Sequence, residues 1–292
     1  MQRADIDTSL AARLVAEQFP RWAQLPVTEV AESGWDNRTF RLGTELSVRL
    51  PSAEAYAAAV AKELTWLPRL APGLPVPIPA PVAEGRPSGL YPWPWSVRRW
   101  LPGRTVSRAA VGTDPRFAGD LARFLVALQR IDAADGPAAG PQSFHRGSDL
   151  AVYDEQTRHS IDLLGDRIPA DAVAVWEAAR GSRWAGEPVW FHGDVAAGNL
   201  LTDAGRLSAV IDFGTCGVGD PACDLVPAWT LFEGAAREEF RTGVDAPGDT
   251  WARARGWALW KALITAAAGR EVGESLRTVS AVIDEHRGHP RG

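Results

Sequence analysis

The sequence contains very little lysine and no strongly basic region. Lys62 and Lys261 are the lysines among its 292 residues, and arginine supplies the other positive side chains. The formal net charge is −5 at pH 7. Because nucleic-acid binding calls for a clustered basic surface, this composition disfavours a nucleic-acid partner.

Cysteine and long apolar segments are scarce as well. Cys216 and Cys223 are the cysteines of the chain, and their spacing fits neither a metal site nor a redox motif, which indicates buried thiols in a reducing compartment. No apolar run approaches the roughly 20 residues that a membrane helix needs. The first residues form no basic-then-apolar signal. We therefore expect a cytoplasmic protein with no membrane partner.

The most informative part of the chain combines two carboxylates and an amide at fixed spacing. His192-Gly193-Asp194 is followed by Asn199 and then by Asp212-Phe213-Gly214. This order, H-x-D-x-x-x-x-N and then D-F-G, is typical of enzymes that transfer a phosphoryl group from a nucleoside triphosphate to a hydroxyl. The reaction needs a base beside the acceptor and oxygen ligands for Mg²⁺. We predict Asp194 as the base, and Asn199 and Asp212 as the metal ligands.

A β-hairpin is predicted between the two metal ligands. Residues 200–202 and 207–211 are apolar runs typical of strands, and residues 203–206 have the composition of a tight turn. Folding this hairpin brings its open ends together, so Asn199 is expected beside Asp212. Two oxygen ligands would then converge, as a hard cation requires.

The segment Trp190–Trp229, which includes these motifs, closely resembles the aminoglycoside phosphotransferase family of kinase-like enzymes. Shorter segments that resemble the family are Ser33–Asn37, Arg99–Gly103 and Arg255–Leu259. The resemblance implies an α+β, two-lobed protein-kinase-like fold. Residues 1–100 would form an N-terminal nucleotide-binding lobe with a small antiparallel sheet and one main helix. Residues 101–292 would form a larger, mostly helical lobe with the catalytic loop, the metal site and the acceptor pocket.

The resemblance also implies a reaction. It indicates Mg²⁺-dependent transfer of the γ-phosphate of ATP or GTP to a hydroxyl of a small molecule, such as an aminoglycoside-like antibiotic, an amino sugar or a related compound. Antibiotic resistance and ordinary metabolism are both compatible with this reaction, and the protein is expected to be a monomer or a homodimer. The alternative is a kinase-like module that binds a nucleotide or small molecule without transferring phosphate. A protein kinase is disfavoured, because the sequence lacks a full Gly-rich loop and an A-P-E-like segment.

The resemblance further assigns residues to the nucleotide. The turn with Ser33 and Gly34 corresponds to the family's turn over the phosphates, where Gly34 permits close approach of the backbone to an anion. Arg49 takes the place of the usual third-strand lysine, with Glu63 on the following helix as its carboxylate partner and Glu54 as the less favoured choice. The alternative for Arg49 is a surface or lobe-packing role. Arg99 and Trp100 are expected at the hinge between the lobes, where they would contact a purine. Core packing explains the tryptophan equally well.

Other acidic side chains divide into acceptor candidates and structural residues. Asp220-Pro221 is typical of a helix start, so Asp220 and Asp224 are expected to tie the catalytic and metal loops to the helix that follows. The reachable acceptor candidates, most of which have the pattern of solvated helix residues, are Asp154, Glu155, Asp162, Trp229 and Glu233.

Apolar periodicity and capping residues predict the remaining elements. An opening helix capped by Thr8 or Ser9 precedes strands at 27–31, 38–42 and 46–50, and Ser52 is expected to cap a helix over 52–70. The other predicted helices cover 114–131, 148–164, 170–180, 221–232, 235–242, 250–268 and 272–284.

Overall fold

The computed structural model describes residues 2–30, 34 and 36–288. The chain forms two compact units. The smaller unit consists of Met1–Gly103 together with Ser208–Gly214, and the larger unit of Arg104–Leu207 together with Thr215–Gly292. The sequence-based division had a single boundary after residue 100. The structure instead groups the segment that contains Asp212 with the smaller unit.

The smaller unit is built on an antiparallel sheet with the strand order β1-β2-β3-β5-β4. Its strands are β1 (Val27–Glu29), β2 (Asn37–Leu42), β3 (Leu46–Pro51), β4 (Pro81–Gly85) and β5 (Trp95–Arg99). In β3, Arg49 lies opposite Thr39 of β2 and Ser96 of β5. Since β3 has a partner on both sides, the backbone around Arg49 is fixed on both edges.

Two helices complete the smaller unit: α1 (Thr8–Gln18) and α2 (Glu54–Leu70). Apolar side chains of α1 and of the sheet share one core, for example Leu14, Phe40 and Trp95. The predicted caps were wrong. Asp7 caps α1 by accepting a hydrogen bond from the Leu10 N–H at 2.8 Å. The Ser52 hydroxyl does not cap α2 but donates to the Asp36 carbonyl at 3.0 Å, because the residue before the helix is Ala53.

Helices dominate the larger unit, as predicted. They are α3 (Arg108–Val111), α4 (Pro115–Gln129), α5 (Asp154–Leu164), α6 (Ala172–Gly181), α7 (Pro227–Thr230), α8 (Gly234–Val244), α9 (Gly248–Ala267) and α10 (Val272–Gly288). The predicted helix over 221–232 is instead a 3₁₀ segment, Pro221–Leu225, followed by the short α7, because Pro227 interrupts the turn between them. Helix α9 is buried on most sides, which identifies it as the central helix of this unit.

The remaining strands are short: β6 (Arg104–Thr105), β7 (Val189–Phe191), β8 (Leu200–Asp203), β9 (Arg206–Val210) and β10 (Gly217–Gly219). The predicted hairpin is confirmed, because β8 and β9 are neighbours in the order β6-β8-β9. Ala204 and Gly205 both have positive φ, 48° and 77°, as a two-residue hairpin turn requires. The boundary between the two units falls within β9. Within the described ranges, no helix is long and apolar enough to cross a membrane.

Candidate active site

Asp194 lies in the loop between β7 and β8, in the larger unit. The Asn199 side-chain nitrogen donates to the Asp194 carbonyl at 2.9 Å and to the Asp194 carboxylate at 3.0 Å. Both bonds use the nitrogen of the amide, so the Asn199 oxygen is the atom left to meet a cation. The structure therefore brings together two of the predicted site residues.

A buried carboxylate binds the backbone of this loop. Asp224 accepts hydrogen bonds from the backbone N–H groups of His192 at 2.6 Å and Gly193 at 2.7 Å. Burial raises the pKa of Asp224, although the facing His192 and Gly193 donors favour its ionised form. The predicted structural role of Asp224 is thus confirmed, since its contacts fix the backbone immediately before Asp194.

The two residues before Asp194 contribute geometry. His192 is fully buried, and its Nδ1 accepts a hydrogen bond from the Asp194 N–H at 3.1 Å. Gly193 has a φ of +85°, and a Cβ there would lie 2.9 Å from the Thr215 carbonyl. A side chain at position 193 would therefore distort the loop that carries the predicted base.

Asp220 is also structural, as predicted. Its carboxylate accepts a hydrogen bond from the Ala222 N–H at 3.1 Å, which caps the 3₁₀ segment. The same carboxylate pairs with the buried Arg253 of α9 at 2.6 Å. Asp220 thus ties the segment containing Asp224 to the central helix. Cys216 and Cys223 are both buried, as the sequence analysis predicted.

In the smaller unit, Arg49 is placed between two carboxylates. Its guanidinium pairs with Glu63 of α2 at 3.4 Å and also pairs with Asp212. Burial opposes the charge of this guanidinium, but Asp212 and Glu63 outweigh it and raise the pKa of Arg49. The structure therefore brings Arg49, Glu63 and Asp212 together within the smaller unit, as was expected for the first two.

Arg98 is a further member of this cluster that the sequence analysis missed. It pairs with Glu63 at 2.7 Å, a shorter distance than the one between Arg49 and Glu63. Burial favours the neutral acid, but Arg98 and then Arg49 hold the pKa of Glu63 below its ordinary value of 4.5. Alternation along β5 supplies the signal that was missed, because Ser96 and Arg98 share one face and Arg99 points to the other. Ser96 and Arg98 are buried, whereas Arg99 is exposed.

The backbone around Asp212 is unusual and is held in place by a lysine. Asp212 has a φ of 66°, in the left-handed region that few residues other than glycine adopt. Lys62 of α2 donates to the carbonyl of Gly214 at 2.7 Å. A strained backbone that its surroundings hold in place is a common property of functional sites. Lys62 was not singled out in the sequence.

For the other residues assigned to the nucleotide, the structure gives less support. Ser33 lies outside the described residues. Gly34 is exposed, and a Cβ built on it would come within 4.0 Å of the Asp212 carboxylate. The Trp100 N–H donates to the Glu45 carbonyl at 2.7 Å, so this donor is already used inside the smaller unit. Purine contacts by Arg99 and Trp100 therefore stay a prediction.

Asn199 and Asp212 carry the donor atoms that suit Mg²⁺, which binds carboxylate and carbonyl oxygens. The hydrogen bonds of the Asn199 nitrogen orient its oxygen away from Asp194, and the Asp212 side chain keeps 31 % of its surface exposed. Asn199 belongs to the larger unit and Asp212 to the smaller one. The chemistry of both residues fits the metal, and their joint site stays a prediction.

Beside Asp194, the larger unit contains a cavity of about 540 Å³. Its walls come from residues 193–197 of the loop that contains Asp194, the start of α3, α9 and α10. Most of the lining surface is apolar, and the charged lining residues are Arg108, Arg146, Asp194, Lys261, Glu271, Glu274 and Arg277. A cavity of this size that includes the predicted base is suited to hold a small-molecule acceptor.

The acceptor candidates taken from the sequence do not line this cavity. Asp154 accepts a hydrogen bond from the Trp176 indole and pairs with Arg158, and the Trp229 indole donates to Glu285. Glu233 does not line the cavity but pairs with Arg108, which does. The lining instead includes Trp257 and Trp260 of α9. Apolar periodicity in a helix does not distinguish residues that line a cavity from residues that pack in the core, so the sequence did not identify them.

Solved structures with a similar fold are phosphotransferases. The GDP and kanamycin complex of APH(2")-IIia superposes with a TM-score of 0.74 at 17% identity, covering 96% of this chain and 99% of that chain. The macrolide 2'-phosphotransferase MphH from Brachybacterium faecium gives a TM-score of 0.61 at 22% identity, covering 98% and 99%. The AMP-PNP and hygromycin B complex of a thermostable APH(4)-Ia mutant gives 0.62 at 18%, covering 96% and 99%. At these identities the similarity shows the fold alone, and it confirms the predicted kinase-like α+β fold.

Among curated protein sequences, none matches the chain. The phosphotransferase enzyme family matches residues 27–257. This span runs from β1 into α9 and includes the loop that contains Asp194, the Asp212-Phe213-Gly214 segment and the Arg49 cluster. Because it covers well over half of the chain, the protein belongs to the phosphotransferase enzyme family.

Proposed function

We propose that the protein is a Mg²⁺-dependent phosphotransferase that moves the γ-phosphate of ATP or GTP to a hydroxyl of a small molecule. The observation that carries this proposal is the position of Asp194. It lines the acceptor-sized cavity and is held there by Asn199, and by Asp224 through the loop backbone. A carboxylate fixed beside a cavity is what a hydroxyl acceptor requires of its base.

In the proposed reaction, Asp194 orients the acceptor hydroxyl and accepts its proton late in the transfer. The buried Asp224 keeps the loop from moving, since it binds two consecutive backbone N–H groups. Arg49 neutralises charge on the donor phosphates, and Glu63 holds its guanidinium. Catalysis by such groups depends on positioning and electrostatics more than on covalent chemistry.

Asn199 and Asp212 would hold the metal. When bound, Mg²⁺ would supply positive charge to the β- and γ-phosphates. The Asn199 nitrogen keeps its two bonds to Asp194, so the same amide would link the metal ligand set to the base. Nucleotide donors are consistent with the named complexes of similar structures, which contain GDP, ADP and AMP-PNP.

The test is nucleotide consumption with Mg²⁺, with ATP and GTP in separate reactions, over a panel of hydroxylated acceptors. Asp194→Asn is the control variant. We expect acceptor-dependent turnover that falls by about 10²- to 10⁴-fold in this variant, the usual contribution of a general base. Nucleotide affinity should be retained, because Asp194 lies in the acceptor cavity. Equal loss of turnover and of nucleotide affinity would contradict the role given to Asp194.

One observation favours a second candidate, a module that binds nucleotide without transferring phosphate. Arg49 replaces the usual lysine and pairs directly with Asp212, the carboxylate expected to bind metal. A guanidinium bound there competes with a cation for the same carboxylate. Calorimetry distinguishes the two candidates: the binding module would take up nucleotide equally well with and without Mg²⁺ and would show no turnover with any acceptor.

A further inference from the structure

We infer that the acceptor is a hydroxylated compound with a mainly apolar body, that its polar groups are neutral or anionic, and that Arg146 selects it. A polycationic amino sugar does not fit this cavity. The inference rests on the proposed function, because it takes the cavity beside Asp194 as the acceptor site. It narrows the acceptor class, which membership of the phosphotransferase enzyme family leaves open.

The walls of the cavity indicate the apolar body. Val195 follows the base directly, and Val226 and Leu231 line the cavity from the segment after the 3₁₀ turn Pro221–Leu225. Trp257 and Trp260 add two large aromatic surfaces from α9. The volume of about 540 Å³ lies within the range of small-molecule sites, roughly 300–1,000 Å³. Burial of apolar surface is therefore the main attraction that this cavity offers.

The charges of the lining residues argue against a polycation. In the part of the chain that the structure describes, Glu271 and Glu274 are the lining carboxylates other than Asp194. Glu274 already pairs with Arg277 at 2.8 Å. Four cationic side chains line the same cavity, against three carboxylates when Asp194 is counted. An acceptor with several ammonium groups would therefore find few carboxylates in the lining to pair with.

Arg146 differs from the other lining arginines in its partners. Arg108 and Arg277 form ion pairs with glutamates. Arg146 instead donates to the Phe144 carbonyl and the Tyr153 hydroxyl, both at 3.1 Å. Among the described residues, no carboxylate lies within the 4.0 Å of its guanidinium that an ion pair requires. Its positive charge is therefore not neutralised by an adjacent acid.

The position of Arg146 allows it to act on the acceptor. Its guanidinium lies 4.5 Å from the ring centroid of Trp260, which orients it on an aromatic surface. A Cβ built on Gly193 would come within 3.1 Å of the Arg146 Cβ, so Arg146 adjoins the residue before the base. A carboxylate or carbonyl oxygen bound by Arg146 would thus belong to the same molecule that presents its hydroxyl to Asp194.

Calorimetry without nucleotide tests this inference with three probes. Kanamycin is the polycation, 4-nitrophenyl β-D-glucoside is the neutral probe and 4-nitrophenyl β-D-glucuronide is the anionic one. We expect the wild-type protein to bind either aryl glycoside at least about tenfold more tightly than kanamycin. Arg146→Glu should reverse this order, with a gain of at least about tenfold in kanamycin affinity, because the change replaces repulsion by attraction at one site. Arg116→Glu on α4, whose side chain is 75% exposed, is the matched control and should change none of the affinities.

Tighter binding of kanamycin than of both glycosides to the wild-type protein would overturn the inference. So would an Arg146→Glu variant whose kanamycin affinity equals that of Arg116→Glu. Circular dichroism of each variant would show that loss of folding does not cause the change. Because the binding measurement contains no nucleotide, its result is independent of phosphotransfer, and Mg²⁺-dependent nucleotide consumption separately reports whether the proposed function fails.

Discussion

Replacing Glu63 by glutamine tests the buried charge cluster of the smaller unit. The change keeps the shape of the side chain but removes the negative charge that faces Arg49 and Arg98. Glu63 and Arg98 expose only 2% and 3% of their side chains, so water cannot replace the lost carboxylate. Breaking a buried ion pair by removing one partner costs about 3–5 kcal/mol. We expect a loss of this size in the free energy of unfolding, against a total of roughly 5–15 kcal/mol for a typical protein.

The matched control is Glu29→Gln in the same unit. Glu29 pairs with Arg38 at 3.3 Å, but its side chain is 69% exposed. An exposed pair contributes at most about 1 kcal/mol, so this variant should unfold at nearly the same urea concentration as the wild-type protein. Urea denaturation followed by tryptophan fluorescence and by circular dichroism measures both variants. A loss in Glu63→Gln no larger than that in Glu29→Gln would refute the argument.

Three further predictions concern the same clusters. The pKa of Glu63 is held below 4.5 in the folded protein, so its contribution to stability is complete above the unfolded pKa and is lost as the pH falls through the folded pKa. The difference in unfolding free energy between wild type and Glu63→Gln should therefore shrink below about pH 4.5. Urea midpoints at pH 7 and at successively lower pH values measure this difference. Asp224→Asn supplies one acceptor oxygen for two backbone donors, which leaves one buried N–H unpaired at a cost of about 1–3 kcal/mol. Turnover should therefore fall while nucleotide affinity is kept. Unchanged steady-state kinetics would contradict the positioning role of Asp224. Asp212→Ala should remove the Mg²⁺ dependence of nucleotide binding in calorimetry, and normal affinity with metal present would rule out Asp212 as a ligand.

Local sequence patterns predicted the hairpin and the helical character of the larger unit. Gly205 and its neighbours have the composition of a tight turn, and the flanking runs are apolar, so the prediction rested on contacts close in sequence. The caps were harder, because Asp7 and Ser52 compete with nearby residues for the same position. Which residue caps each helix depends on hydrogen bonds such as the one from the Ser52 hydroxyl to the Asp36 carbonyl, and no local sequence pattern specifies these bonds.

The candidate site was predictable where its residues lie within one motif. Asp194 and Asn199 are five residues apart in one motif, and the structure adds a hydrogen bond between them that the sequence analysis did not predict. Arg98 and Arg146 were not predicted, because their importance comes from partners distant in sequence: Glu63 for Arg98 and the α9 residue Trp260 for Arg146. Arginine is abundant in this chain, so residue type alone did not distinguish these two from the surface arginines.

The division of the chain within β9 has a consequence for fragments of this protein. A fragment ending at Gly103 would contain the whole β1-β2-β3-β5-β4 sheet but would lack Ser208–Gly214. Arg49 would then keep Glu63 and lose Asp212, and Lys62 would lose the Gly214 carbonyl. The smaller unit is therefore continuous in space but not in sequence, and its charge cluster is completed only after residues 104–207 have been synthesised.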